Sequence, residues 1–115
     1  MKVIKKGQGT RYVPPGHDNT VSAVKLFNAN NGSPNIDAHI TTFLPGAGMD
    51  EETHEVSEHI LYMLKGRLEV RKAGAAVAVI EEGDAIHIPA GEPHQVVNPG
   101  PGEGVFYVVT VPPAG

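Results

Sequence analysis

The stretch that decides the fold runs from residue 83 to residue 98 and reads Gly83-Asp84-Ala85-Ile86-His87-Ile88-Pro89-Ala90-Gly91-Glu92-Pro93-His94-Gln95-Val96-Val97-Asn98. The apolar run 85–88 is rich in β-branched residues and predicts a short strand. Segment 89–93 cannot extend that strand, because proline lacks a backbone donor and glycine favours a reversal. A second strand is expected to start at His94. A histidine held between a turn and a strand suits a metal ligand.

Composition and charge exclude several classes of protein. The chain has 115 residues, as expected of one domain, and its net charge of −4 provides no basic surface for nucleic acid or anionic lipid. It has no cysteine, which excludes disulfides, thiolate catalysis and cysteine zinc sites. Residues 1–6 do not resemble a signal peptide, and no stretch reaches membrane-spanning length. We therefore expect a cytoplasmic protein with no membrane partner.

The 14 glycines and 10 prolines separate short apolar runs along the whole chain, a pattern typical of an all-β domain. The first half of segment 51–64 is the one place where a helix is conceivable. The runs 59–64 and 67–71 predict a hairpin that turns at Gly66. Periodicity does not choose between a sandwich and a barrel. The predicted strands cover residues 2–5, 11–13, 21–27, 39–44, 59–64, 67–71, 75–80, 85–88, 95–97 and 105–111.

The spacing within the opening stretch resembles the second sequence motif of the cupin superfamily. That motif is matched at every fixed position, as Gly83-x5-Pro89-x-Gly91-x2-His94-x3-Asn98. The first cupin motif, G-x5-H-x-H-x3–4-E-x6-G, is present in altered form. It reads Gly46-x5-Glu52-x-His54-x4-His59-x6-Gly66, so that a glutamate and a histidine have exchanged places. Residues 57–66 are also similar to a segment of small cupins in which the histidine at the His59 position is a ligand.

The resemblance implies an all-β cupin-type jelly-roll barrel that forms a single domain over residues 1–115. Residues 1–35 would supply N-terminal strands and a loop, and residues 36–111 the barrel core with both motifs. It also implies one divalent transition metal held by Glu52, His54, His59 and His94. On a strand, Glu52 and His54 would share one face, because side chains alternate. Three imidazoles and a carboxylate suit Mn²⁺, Fe²⁺, Ni²⁺, Co²⁺ or Zn²⁺.

Alternatives remain at the first motif. A three-residue spacer would turn Thr53 and Glu55 inward and His54 outward. If Glu52 is not a ligand, Glu55 or Glu58 is the replacement. A degenerate cupin that keeps the barrel and binds no metal is the third alternative.

The other candidate residues receive structural interpretations. We expect His39 and His17 to be polar filler or surface residues, with the barrel mouth as the alternative, and His87 to point away from the metal. Pro89, Gly91 and Asn98 are expected to shape the turn and its hydrogen bonds. Leu61, Met63 and Val96 should form an apolar pocket wall, with Tyr62 on the opposite face. Few acid–base groups are expected in the cavity beyond the ligands.

We therefore predict a metal-binding monocupin that acts on a small substrate with carboxylate, carbonyl or enol groups. Two chemistries are open: a lyase, decarboxylase, isomerase or hydrolase that uses the metal as a Lewis acid, or a dioxygenase. The alternative is a cupin that binds or senses a small molecule without catalysis. A homodimer is expected, in which sheets pair or segment 1–13 adds to a partner's edge.

Overall fold

The structure is a computed structural model that describes residues 1–14 and 17–113. These residues form nine strands and no helix, which confirms the all-β prediction. The described residues thus offer no helix that could cross a membrane. Residues 2–5 lie outside any strand, and segment 51–57 is irregular. The strands are β1 (Thr10–Tyr12), β2 (Val21–Phe27), β3 (Asp37–Phe43), β4 (Glu58–Lys65), β5 (Arg67–Lys72), β6 (Ala75–Glu81), β7 (Ala85–Ile88), β8 (Gln95–Val97) and β9 (Gly104–Val111).

The strands form two antiparallel sheets arranged as a jelly roll. The large sheet has the order β1-β2-β3-β9-β4-β7, and the small sheet has the order β6-β5-β8. The core lies between them, because β4 and β9 alternate between buried and more exposed residues along their length. The fully or nearly buried apolar side chains include Phe43, Met63, Leu68, Val70, Val96 and Phe106.

The predicted hairpin at Gly66 is wrong. Strand β4 pairs with β7 and β9 in the large sheet, whereas β5 pairs with β6 and β8 in the small one. The chain therefore crosses between sheets at Gly66. The hairpin lies one strand later, between β5 and β6, where Ala73 and Gly74 both have positive φ angles of 53° and 79°. Alternation identifies the inward face of a strand, but it does not identify the strand's partner.

The crossing at Gly66 depends on the absence of a side chain. Its φ angle is +72°, which L-residues adopt at a cost. A Cβ atom at this position would overlap the carbonyl oxygen of Glu103, which precedes β9. Gly66 therefore lets the corner approach the backbone at the start of β9.

Asn98 fastens the same end of the barrel, as expected from its place in the motif. Its side chain is buried, and its amide donates to the carbonyl oxygens of Phe43 and Gly102, each at 2.9 Å. Its side-chain oxygen accepts from the Gly100 amide at 2.8 Å. One side chain thus ties the end of β3 to the loop between β8 and β9.

We predict that Gly66→Ala destabilises the fold by about 3 kcal/mol or more, because it combines left-handed strain with overlap against backbone. Gly74→Ala is the matched control, since it has a similar φ and an open space around its Cβ position. It should cost about 1 kcal/mol. Urea unfolding of both variants measures the difference. Equal losses in the two variants would contradict the role assigned to the Gly66 contact.

Candidate metal centre

The segment that carries the altered first motif is held against the second motif by backbone hydrogen bonds. Glu52 and His94 exchange two of them, each 2.9 Å long, and form an isolated antiparallel bridge. The Gly91 amide donates to the His54 carbonyl at 2.7 Å, which fastens the turn of residues 89–93 to the same segment. Gly91 has the positive φ expected of it, +80°. Two stretches that are far apart in the sequence therefore lie side by side.

Three histidines from different elements meet at this junction. His54 belongs to the irregular segment, His59 lies at the start of β4 in the large sheet, and His94 immediately precedes β8 in the small sheet. Each offers a ring nitrogen, and these three atoms lie within 4.8 Å of one another. The ring centroids are 4.4 Å apart for His54 and His59, and 5.7 and 5.8 Å apart for the pairs with His94. We call these residues the histidine group.

The surroundings of two of these rings show which nitrogens are available to a ligand. His94 Nδ1 lies 3.0 Å from the Glu92 carbonyl oxygen, which can only accept, so Nδ1 carries the hydrogen and Nε2 the lone pair. His59 Nδ1 lies 2.8 Å from the Thr110 hydroxyl, and His59 Nε2 is buried with no hydrogen-bond partner among residues 1–14 and 17–113. A buried nitrogen without a partner is costly unless an ion or another group binds it. The donor set therefore fits a divalent metal ion.

Electrostatics keeps His59 neutral. Burial lowers the pKa of His59 to about 4, and the neighbouring His54 and His94 act in the same direction, while Glu52 opposes them. At neutral pH the His59 ring is therefore neutral, with one nitrogen carrying a hydrogen and the other a lone pair. A metal ion requires ligands in this form.

Glu52 lies beside the histidine group. Its Oε1 atom is 3.0 Å from His54 Nε2 and 3.7 Å from His94 Nε2, and its side chain is half-buried. Glu52 and His54 thus approach each other although their segment is not a regular strand.

The other acids and the alternative spacer do not match this placement. Thr53 and Glu55 are exposed at the rim, whereas His54 turns inward, as the four-residue spacer predicts. Glu58 is exposed and pairs with the exposed His87 at 2.9 Å, on the outside of the barrel. His87 therefore points away from the histidine group, as predicted.

The histidine group faces a cavity of ≈ 730 Å³ between the sheets. Leu61 and Val96 line it, as predicted, together with Ile88, Phe106 and Val108. Met63 is fully buried in the core and is not part of this lining, whereas Tyr62 lies on the outer face. The apolar walls lower the local dielectric around the histidine group.

The expectation of few further acid–base groups is wrong. Five titratable side chains outside the histidine group line the same cavity on the side of β1–β3: Tyr12, His17, Lys25, Asp37 and His39. The two histidines among them, His17 and His39, are both partly buried and line the cavity. The sequence contained a signal that His39 faces the cavity, because His39 lies on the same face of β3 as the inward-facing Thr41 and Phe43. Lys25 is the cross-strand partner of His39 and shares its face.

Several comparisons place this geometry among known proteins. The polyketide cyclase RemF from Streptomyces resistomycificus superposes with a TM-score of 0.85 and 25% identity, covering 98% of this chain and 80% of that chain. TT1209 from Thermus thermophilus gives 0.75 and 28%, covering 97% and 98%. A sugar phosphate isomerase from Silicibacter pomeroyi gives 0.80 at 22%, covering 96% and 75%, a likeness of fold alone.

No curated protein sequence matches the chain. The family profile described as the cupin domain matches residues 39–110, which is more than half of the chain and includes both motifs. The jelly-roll arrangement of the strands agrees with that match. The chain belongs to the cupin family.

Proposed function

We propose that this chain is a divalent-metal-dependent enzyme acting on an oxygenated organic substrate with a carboxylate, carbonyl or enol group. The observation that carries the proposal is the convergence of His54, His59 and His94 on one wall of the ≈ 730 Å³ cavity. A cavity of that size accommodates a drug-sized molecule next to the histidine group. The metal would be Mn²⁺, Fe²⁺, Ni²⁺, Co²⁺ or Zn²⁺, held by the histidine group with Glu52 as a fourth ligand.

The bound ion would act as a Lewis acid on a substrate oxygen or lower the pKa of a bound water. The protein's own residues orient and shield the reaction. The Glu92 carbonyl fixes the His94 ring, and the Thr110 hydroxyl fixes the His59 ring. Such bonds fix the orientation of each ring, and the Glu92 carbonyl, which can only accept, also leaves the His94 lone pair on Nε2. A substrate that fills the cavity would displace water from this apolar wall.

Two observations favour catalysis over simple binding of a small molecule. The five titratable side chains on the side of β1–β3 provide groups that can move protons, which a binding module does not need. The similar structure at 25% identity, RemF, is a polyketide cyclase. We therefore place this chain with Lewis-acid enzymes that act on carbonyl or enol substrates. Dioxygenase chemistry is the competing assignment, and the identity of the metal decides between them.

We also propose that the chain forms a homodimer through the outer face of the large sheet. Ile60, Tyr62 and Leu64 project from β4 on that face and are each more than 40% exposed. Their cross-strand neighbours Tyr107 and Val109 are also apolar or aromatic and only partly buried. An exposed apolar patch of this kind, bordered here by the polar Glu58–His87 pair, is typical of a protein–protein interface. Packing against the same face of a second copy would remove these apolar side chains from water.

Our first prediction here is that His94→Ala loses most of the bound metal, because it removes a preoriented lone pair. Glu52→Gln should weaken retention, whereas Glu55→Gln should leave it unchanged. His87→Ala is the matched control, since His87 is exposed and its partner is Glu58. Elemental analysis of the purified proteins measures occupancy, and anomalous scattering locates and identifies the ion. Full occupancy in His94→Ala would refute the site.

The same measurement separates the two chemistries. Zinc in the purified protein would rule out the dioxygenase. Iron together with substrate-dependent O₂ uptake would rule out the Lewis-acid assignment.

Our second prediction is that the wild-type protein elutes as a dimer and that Ile60→Lys elutes as a monomer, because a charge in the centre of the apolar face opposes its burial. Val77→Lys is the control, since Val77 is also exposed but lies on the small sheet. Size-exclusion chromatography with light scattering gives the mass of each. A monomeric wild-type protein would contradict the dimer, and dissociation of Val77→Lys would contradict the choice of face.

A further inference from the structure

We propose that Asp37 and His39 form an acid–base dyad in which His39 transfers a proton to or from the substrate and Asp37 positions the imidazole. The inference deepens the proposed function, on which it rests for its substrate. It concerns β3, a strand that carries none of the residues of the histidine group.

The first observation is a pair of buried atoms that face each other. His39 Nδ1 and Asp37 Oδ1 are 3.6 Å apart, both are shielded from solvent, and neither has a hydrogen-bond partner in the part of the chain that the structure describes. A small side-chain rotation closes this gap to a hydrogen bond. A carboxylate oxygen only accepts, so the pair assigns the hydrogen to Nδ1 and the lone pair to Nε2.

The second observation is where the pair lies. Both side chains line the same cavity as the histidine group. Asp37 and His59 are both cross-strand partners of Thr110 in β9, so they stand on either side of it in one row. His39 is two residues further along β3, on the same inward face. The backbones of β3 and β4 are about 10 Å apart, and both sets of side chains point into the space between them. A single small molecule can therefore contact both.

The surroundings of His39 favour a neutral ring. Burial lowers the pKa of His39, Lys25 and His17 act in the same direction, and Asp37 opposes them. The Tyr12 and His39 rings are nearly perpendicular, and their centroids are 6.2 Å apart. The Lys25 ammonium lies 4.9 Å from the centroid of the Tyr12 ring. Burial and Asp37 raise the pKa of Tyr12 to about 12, so this phenol stays protonated. His39 is thus the base of the cluster, and Tyr12 is a neutral donor.

The step is a proton transfer and needs no further reactant. A proton leaves an O–H group, or a C–H group next to a carbonyl, and the bonding electron pair stays on the substrate as an alkoxide or enolate. His39 Nε2 takes the proton, and the imidazolium charge faces the Asp37 carboxylate. Return of the proton to another substrate atom restores the neutral ring. The substrate class is therefore one with an acidic hydrogen within a few bonds of the oxygen held at the histidine group.

The first test is the tautomer of His39 in metal-free protein, read from ¹⁵N NMR of labelled histidine at neutral pH. We expect hydrogen on Nδ1 in the wild type and loss of that preference in Asp37→Ala. His87→Gln is the control and should leave the His39 signals unchanged. A lone pair on Nδ1 in the wild type would overturn the dyad. Because no metal is present, this result is independent of the metal assignment.

The second test is hydrogen exchange on a simple probe, 2-oxobutyrate, followed by ¹H NMR in D₂O with the zinc-loaded protein. We expect the wild type to accelerate loss of the C3–H signal and His39→Gln to reduce that acceleration by about a hundredfold. Metal content should be unchanged in His39→Gln, and His87→Gln should match the wild type. Exchange that is not accelerated, or that is equally fast in His39→Gln, overturns the dyad. Failure of the proposed function is recognised separately, by full metal occupancy in His94→Ala.

Discussion

The pair of backbone hydrogen bonds between Glu52 and His94 is the constraint on which the candidate site depends. Segment 44–57 is irregular, so no strand of its own holds the backbone of His54 at a fixed place. The two 2.9 Å bonds make it a neighbour of the strand β8, and the Gly91 bond to the His54 carbonyl fixes it further. Buried backbone groups must find such partners, so the pairing that satisfies them also aligns the histidines.

The histidine group is formed at a cost to stability. Three imidazoles face one point, and His59 Nε2 has no partner within the described residues. The folded pKa of His59, about 4, is below the ordinary value of 6.5, so the unfolded chain binds the proton more tightly. Protonation of His59 therefore favours unfolding. Its effect on the free energy of unfolding is absent above pH 6.5 and lowers that free energy as the pH falls towards 4. A group of histidines that opposes its own protonation could hold a metal cation instead.

The sequence predicted the elements better than it predicted their pairing. Strands β2, β7 and β8 have the bounds expected from their apolar runs, and the spacing of Gly83, His94 and Asn98 led to the correct family. The Gly66 hairpin failed because alternation defines a face and carries no information on which strand lies alongside. The Asp37–His39 pair was missed although its two residues lie on one face of β3, and its position opposite the histidine group could not be predicted from alternation. Its chemistry depends on β3 standing across β9 from β4, a contact between residues far apart in the chain.

The barrel depends on the motifs that carry the histidine group, but it does not depend on the polar residues of β1–β3. The histidine group sits on the two cupin motifs, which also shape the barrel through Gly66 and Asn98, so changes there affect fold and site together. Asp37, His39, Tyr12 and Lys25 lie on β1–β3, where register fixes their direction but no corner depends on their identity. Structures of this fold include both a polyketide cyclase and a sugar phosphate isomerase, so the barrel alone does not determine the reaction. The wall formed by β1–β3 is therefore where the chemistry of this chain would be set.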